Sequence, residues 1–214
     1  MKDIAIYGFG GFGREVACLI HHINELNPEW NLVGFIDDGV PAGTQCKYGE
    51  VLGDRRTLND WRKPLSVVIA IGAVNFLEEV SHKITNPMVD FPNLVAPNCF
   101  FFDKDSVMMG KGNIITFGCR MSCDVKLGDF NILNGCVSLG HDVKLGDYNV
   151  LFSETRISGG VTMGKGNFFG AKSFVSQTIA IGNHNRFGAG SFVFRKIKDD
   201  GIYMGNPAKK ISIE

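Results

Sequence analysis

His141 and Asp142 are adjacent in a stretch of the chain where neighbouring positions otherwise recur every 18 residues. Position 141 belongs to the series Cys123, His141, Gly159, Gln177, Arg195, and position 142 to the series Asp124, Asp142, Gly160, Thr178, Lys196. Neither series keeps one residue type, so the pair is not demanded by the repeat. An imidazole titrates across physiological pH and can take a proton from an incoming alcohol or amine. A neighbouring carboxylate can raise its basicity or hold its tautomer if the two side chains meet. Eighteen residues further on, Gly159 and Gly160 leave the space beside the imidazole open and expose backbone N–H groups, as an oxyanion donor would require. A second candidate lies near the start, where Gly8-Phe9-Gly10-Gly11-Phe12-Gly13 fits a GxGxxG turn. Glycines there let backbone approach a phosphate, and the amides of a following helix point at the anion. Asp37 and Asp38 stand where an acid could accept hydrogen bonds from a ribose or a base.

The elements that must hold these residues are legible from spacing. Gly110, Gly128, Gly146, Gly164 and Gly182 recur every 18 residues, each followed three positions later by Asn113, Asn131, Asn149, Asn167 or Asn185. An aliphatic or aromatic residue falls at every sixth position, through Met109, Ile115, Met121, Leu127, Leu133 and onward to Val193. One inward side chain per six residues suits a short strand and a turn, three to a coil, and not a helix. Residues 107 to about 196 are therefore expected to form a parallel β-helix of triangular section, with residues 18 apart stacked about 4.8 Å from each other. The repeat glycines and asparagines are expected at turns of positive φ. Before the coils, Ile4-Ala5-Ile6-Tyr7, Leu32–Ile36 and Ser66–Ile71 read as strands and Arg14–Leu26 as an amphipathic helix, which predicts a small parallel α/β domain. The division is expected between residues 1–92 and 93–214, near the prolines Pro92 and Pro97. The first part is too short for the two halves of a dinucleotide fold, so one nucleotide, or a nucleotide bearing a sugar, fits better.

The chain has 214 residues, with 22 basic against 22 acidic side chains and 44% hydrophobic residues. No basic run or aromatic-interleaved basic stripe is present, which argues against nucleic acid as a partner. No apolar stretch approaches a membrane span, and the opening residues enter a strand directly, so a cytoplasmic location is expected. Cys18, Cys46, Cys99, Cys119, Cys123 and Cys136 lack zinc-type CxxC pairs and read as reduced, mostly buried thiols.

Taken together, the glycine-rich opening, Gly34-Phe35-Ile36-Asp37-Asp38, Ala70-Ile71-Gly72, the hexapeptides, Gly140-His141-Asp142, Ser158-Gly159-Gly160-Val161 and Gly205-Asn206-Pro207-Ala208-Lys209 resemble one family over nearly the whole chain. It is the hexapeptide-repeat sugar acyltransferases, particularly the sialic acid O-acetyltransferase and bacillosamine or perosamine N-acetyltransferase group. The resemblance implies a Rossmann-like domain followed by a left-handed β-helix, a homotrimer, acetyl-CoA as acyl donor in the groove between neighbouring β-helices, no required metal, and a sugar or nucleotide-sugar acceptor in glycan biosynthesis. It further implies that His141 is the general base, Asp142 its acidic neighbour and Gly159 the oxyanion donor. Gly160, Gly170, Ala171, Gly188, Ala189 and Gly190 fall at coenzyme positions, and Phe12, Gly13, Arg14, Asp37, Asp38 and Gly72 at nucleotide-sugar positions. Phe12 stands where many relatives have a histidine, and Val150 where a second family histidine approaches the coenzyme.

Other classes fit less well. A β-helix zinc enzyme would need three converging histidines, and the coils hold His141 and His184. A nicotinamide oxidoreductase lacks its second half-domain, and acyl-enzyme chemistry through Cys123 or Cys136 is not needed for direct transfer. A noncatalytic sugar-nucleotide-binding scaffold is the alternative, because a β-helix folds without an active site. His21, His22 and His82 read as surface or edge residues. Phe100-Phe101-Phe102 is expected to cap the lower end of the solenoid core, and residues 197–214 to fold back over its far end.

Overall fold

The computed structural model describes residues 1–212; Ile213 and Glu214, the end of the expected C-terminal cap, lie outside the described residues. Two compact units divide at Pro97 and Asn98.

In the first unit, β1 (Lys2–Tyr7), β2 (Trp30–Ile36), β3 (Gln45–Cys46), β4 (Gly49–Gly53), β5 (Leu65–Ile69) and β6 (Val89–Asp90) form a sheet in the order β3-β4-β2-β1-β5-β6. All pairings are parallel except the β3–β4 hairpin. Ile4, Ala5, Ile6, Phe35, Val67 and Val68 are fully buried, the continuous apolar runs expected of central parallel strands. Three helices, α1 (Gly11–Leu26), α2 (Arg55–Asn59) and α3 (Val74–Lys83), connect the strands. The helix expected from Arg14 begins at Gly11 because Gly13 packs directly on the Gly8 carbonyl, an approach that no Cβ would permit. From β1 the chain moves to β2 on one side and returns to β5 on the other. This is a topological switch point, whose crevice opens at the carboxyl ends of β1 and β5.

The second unit is a β-helix of two- and three-residue strands stacked in three parallel sheets. One sheet runs through Ile114–Ile115, Ile132–Leu133, Val150–Leu151, Phe168–Phe169 and Arg186–Phe187. A second runs from Phe100–Phe101 through Ser138–Leu139 to Phe192–Val193, and a third from Met108–Met109 through Lys144–Leu145 to Ala180–Ile181. The hexad side chains point inward as expected: Ile115, Leu133, Leu151, Phe169 and Phe187 are all essentially buried, and Phe169 stacks on Phe187 with ring centroids 4.2 Å apart.

Three expectations are corrected. First, neither the repeat glycines nor the repeat asparagines have positive φ; that conformation falls one residue before each asparagine, at Gly112, Phe130, Tyr148, Gly166 and His184, and at matching positions of the other corners. The asparagines are buried and form a ladder: the Asn131, Asn149, Asn167 and Asn185 amides each donate to the Oδ1 of the asparagine one coil earlier, at 3.0–3.1 Å. Each of those Oδ1 atoms also accepts the next asparagine's backbone N–H at 2.8–3.0 Å. The repeat glycines are required by closeness, since a Cβ on Gly128 would meet the Gly146 carbonyl group at 2.8–2.9 Å. Second, the coils begin before residue 107 and continue past 196. Phe101 pairs with Met121, an offset of 20, and Ile181 bridges Ile197, an offset of 16, so insertions and deletions at turns hide both ends from a strict 18-residue count. Third, Phe100–Phe101 forms a strand of the second sheet rather than a cap, and Phe100 and the following Phe102 are exposed (55% and 71%). At the far end the tail does fold back: Tyr203 stacks on Phe187 at 5.3 Å, and Ile202–Met204 forms an antiparallel hairpin with Lys209–Ile211.

Candidate active site

At the corner between the second and third sheets, the His141 Nδ1 lies 2.8 Å from Asp142 Oδ2. The carboxylate accepts Nδ1–H, which assigns the proton to Nδ1 and leaves the Nε2 lone pair outward on a side chain that is 65% exposed. Asp142 occupies the positive-φ corner position (φ 58°), so the backbone turn itself swings its carboxylate toward the ring. The imidazole lies over Gly159: a Cβ there would fall 2.5 Å from Nε2 and 2.6 Å from Cε1. Gly140 is constrained in turn, because its Cβ would come 2.5 Å from the Gly159 nitrogen. The expectation of two available amides is halved. The Gly160 N–H donates to the His141 carbonyl at 2.8 Å as part of the coil stacking, whereas the Gly159 N–H has no acceptor among the described residues. One imidazole, a carboxylate that orients it and one unused backbone donor therefore converge.

Of the residues expected at coenzyme positions, Gly160 lies at the His141 corner and the others lie elsewhere on the prism. Gly170-Ala171 and Gly188-Ala189-Gly190 follow strands of the first sheet and precede strands of the second, a corner away from His141. A Cβ on Gly170 would reach the Ala189 nitrogen at 2.5 Å, and the Ser173 and Ser191 hydroxyls bond the Gly170 and Gly188 carbonyls at 2.6 Å. The result is a smooth corner of small residues. Val150 is fully buried.

In the first unit, α1 and α3 both start without a side-chain cap and without an acidic residue in the first turn. Their orphan N–H groups lie at the switch-point crevice. Gly8 (φ 113°) approaches the Ala70 carbonyl so closely that a Cβ would lie 2.8 Å from it, and Gly72 has open space where a side chain would be. Phe12 is half-buried, Arg14 is exposed and reaches the Phe9 carbonyl at 3.5 Å. The two acids divide. Asp37 accepts the Phe9 N–H on Oδ2 at 2.9 Å and the Gly39 N–H on Oδ1 at 2.8 Å, tying the glycine loop to the turn after β2. Asp38 accepts the Arg55 N–H at 2.9 Å and pairs with its guanidinium at 3.5 Å. Burial pulls the Asp38 carboxyl upward, but the Arg55 N–H, the Tyr7 hydroxyl and the Arg55 and Lys83 charges outweigh it and hold it below the usual carboxylate range. Tyr7 and Arg55 were not singled out by sequence. Tyr7 reads as one more apolar strand residue, and Arg55 lies in a stretch with no motif.

Among the described residues no cluster of three or more histidine, cysteine, aspartate or glutamate side chains is arranged to hold a metal ion, and no helix is long and apolar enough to cross a membrane. All six cysteines are free thiols.

The fold and these two sites describe a small parallel α/β unit followed by a β-helix built of hexapeptide repeats. Residues 3–84 match the family model of the PglD N-terminal domain. No curated protein sequence matches the chain. Among solved structures, the acetyltransferase domain of PglB from Neisseria gonorrhoeae, in complex with acetyl coenzyme A, superposes with a TM-score of 0.88 at 23% identity, covering 98% of this chain and 99% of that one. PerB from Caulobacter crescentus, in complex with CoA and GDP-perosamine, gives 0.86 at 24% identity over 99% and 98%. WeeI from Acinetobacter baumannii gives 0.86 at 23% over 99% and 100%. The chain thus shares the fold of these structures, a PglD-type N-terminal domain over residues 3–84 followed by a left-handed β-helix.

Proposed function

We propose that this protein transfers an acetyl group from acetyl-CoA to an amino or hydroxyl group of a nucleotide-linked sugar. The observation that carries the reading is the His141–Asp142 pair set over Gly159. Nε2 of His141 takes the proton of the acceptor as its nitrogen or oxygen attacks the thioester carbonyl carbon. The developing oxyanion accepts a hydrogen bond from the Gly159 N–H, and Asp142 balances the imidazolium. Collapse of the tetrahedral intermediate breaks the C–S bond, and the departing thiolate receives the proton from His141. The uncapped starts of α1 and α3 offer donors for the phosphates of the sugar nucleotide. Asp38 accepts from its base or ribose.

The separation of the two prism corners supports a homotrimer. A coenzyme passing the small-residue corner around Gly170, Ala171 and Gly188–Gly190 while presenting its thioester to His141 needs both corners at once, which two neighbouring β-helices supply and one does not. Acetyl-CoA and nucleotide sugars are cytoplasmic metabolites, so the reading places the reaction there, within glycan biosynthesis. The test is acetyl-CoA-dependent thiol release against UDP-, GDP- and dTDP-linked amino sugars, their hydroxyl counterparts and free sugars, with His141→Ala as control. Acceptor-dependent release that collapses in the variant supports the reading. Coenzyme and sugar-nucleotide binding without turnover on any acceptor would favour a noncatalytic scaffold.

A further inference from the structure

The Tyr7 hydroxyl is buried at the end of β1 and has no hydrogen-bond partner among the described residues. Its side chain is 3% exposed. Leaving a phenol unpaired in the interior is costly, and a phenylalanine of nearly the same shape would avoid the cost. The charged groups around it come from different elements: Asp38 and Asp37 from the turn after β2, and Arg55 from the start of α2. Asp38 itself faces Tyr7 from β1, Arg55 from α2 and Lys83 from the end of α3. The phenol thus lies on the inner side of a carboxylate whose outer side is open, and the Arg55 N–H and guanidinium engage that carboxylate from the flank.

We propose that Tyr7 is a positioning residue for Asp38, and that the pair selects a ligand presenting N–H or O–H donors to the carboxylate at the switch-point crevice. The inference rests on the nucleotide-sugar reading of the first unit. An ionised carboxylate is an acceptor only, so its ligand must supply the protons; the imide or amino edge of guanine or uracil, or a ribose diol, does so. The buried O–H is the one group placed to follow the carboxylate inward. When a ligand draws on the outer lone pairs, a hydrogen bond from Tyr7 fixes the rotamer and keeps the charge on Asp38. Burial, followed by the nearby Asp38 carboxylate, pushes the phenol up from its ordinary value, so it stays a donor throughout the accessible pH range. Asp37 is less suited to this part, because it is half-buried and ties the glycine loop to the turn after β2 through the Phe9 and Gly39 amides, whereas Asp38 is exposed.

Tyr7→Phe removes only the hydroxyl. The experiment is calorimetric titration of the full-length wild type and variant with GDP and with UDP across pH 4 to 8, beside the thermal midpoint of each unliganded protein. The expected result is weaker binding of the preferred nucleotide by roughly 10- to 150-fold, as for loss of one hydrogen bond to a charged group. The acid limb of the binding curve should move to higher pH, because Asp38 protonates more readily without the phenol. The unliganded midpoint should change little, because the hydroxyl makes no close hydrogen bond in the interior and only its support of the Asp38 charge is lost. A large drop in midpoint across the whole pH range would make the hydroxyl a structural group and overturn the inference. So would wild-type affinity with an unmoved acid limb in the variant. If the wild type binds neither nucleotide, the reading of the first unit fails and takes this inference with it, an outcome distinct from the other two.

Discussion

Gly159→Ala is the perturbation whose consequence follows most directly from the geometry. The added methyl would sit 2.5 Å from His141 Nε2, 2.6 Å from Cε1 and 2.9 Å from Cδ2. Carbon contacts settle at about 3.5–4.0 Å, so the ring must retreat by about 1 Å. The backbone need not move, because Gly159 is not among the glycines with positive φ, and the ring is mostly solvent-exposed and can swing outward. Stability should therefore change by less than about 1 kcal/mol. The backbone N–H remains, so the proposed oxyanion donor survives and only the proposed base is displaced. A displacement of that size at a reacting group costs about 100-fold in rate. Steady-state thiol release should show kcat lower by roughly that factor with a thermal midpoint close to wild type. Gly160→Ala is the matched control: its positive φ (70°) predicts a stability loss of about 1 kcal/mol, while the ring has no new contact. Wild-type kcat in Gly159→Ala would refute the claim that the bare glycine sets the position of the base.

Two further outcomes follow from the same structure. Asn149→Leu removes a middle rung of the ladder, deleting the amide that donates to Asn131 and the Oδ1 that accepts two bonds from Asn167; chemical denaturation should show a loss of roughly 2–5 kcal/mol, and none would mean the ladder is incidental. Asp38 has its folded pKa held below its ordinary value, so its contribution to stability is present above the unfolded pKa of about 4 and is lost as pH falls through the lower folded value. Asp38→Asn should therefore flatten the acid limb of the stability curve below about pH 4 without steepening it elsewhere, as read from thermal midpoints against pH.

Much of the β-helix was legible because its repeat is strict. In a solenoid an 18-residue period is also a spatial neighbour list, so the placement of His141 over Gly159, and of Asp142 beside it, could be read before any coordinates. The GxGxxG turn and the alternating strands and helices likewise gave the small parallel α/β domain, and the sheet order then located its crevice. The tertiary structure decided what depends on side-chain direction and local irregularity. Spacing cannot say whether a recurring asparagine turns the chain or fills the core; the ladder required knowing that its amide points inward, where each polar atom must find a partner. Nor could it separate Asp37, which is half-buried and tied to the Phe9 and Gly39 amides, from Asp38, which is exposed. The two-residue shifts at Phe101 and Ile197 hid the true ends of the coils. The buried Tyr7 hydroxyl was invisible for the same reason: a strand pattern records that a residue is apolar enough to be inside, and only packing shows which polar atom it carries in without a partner.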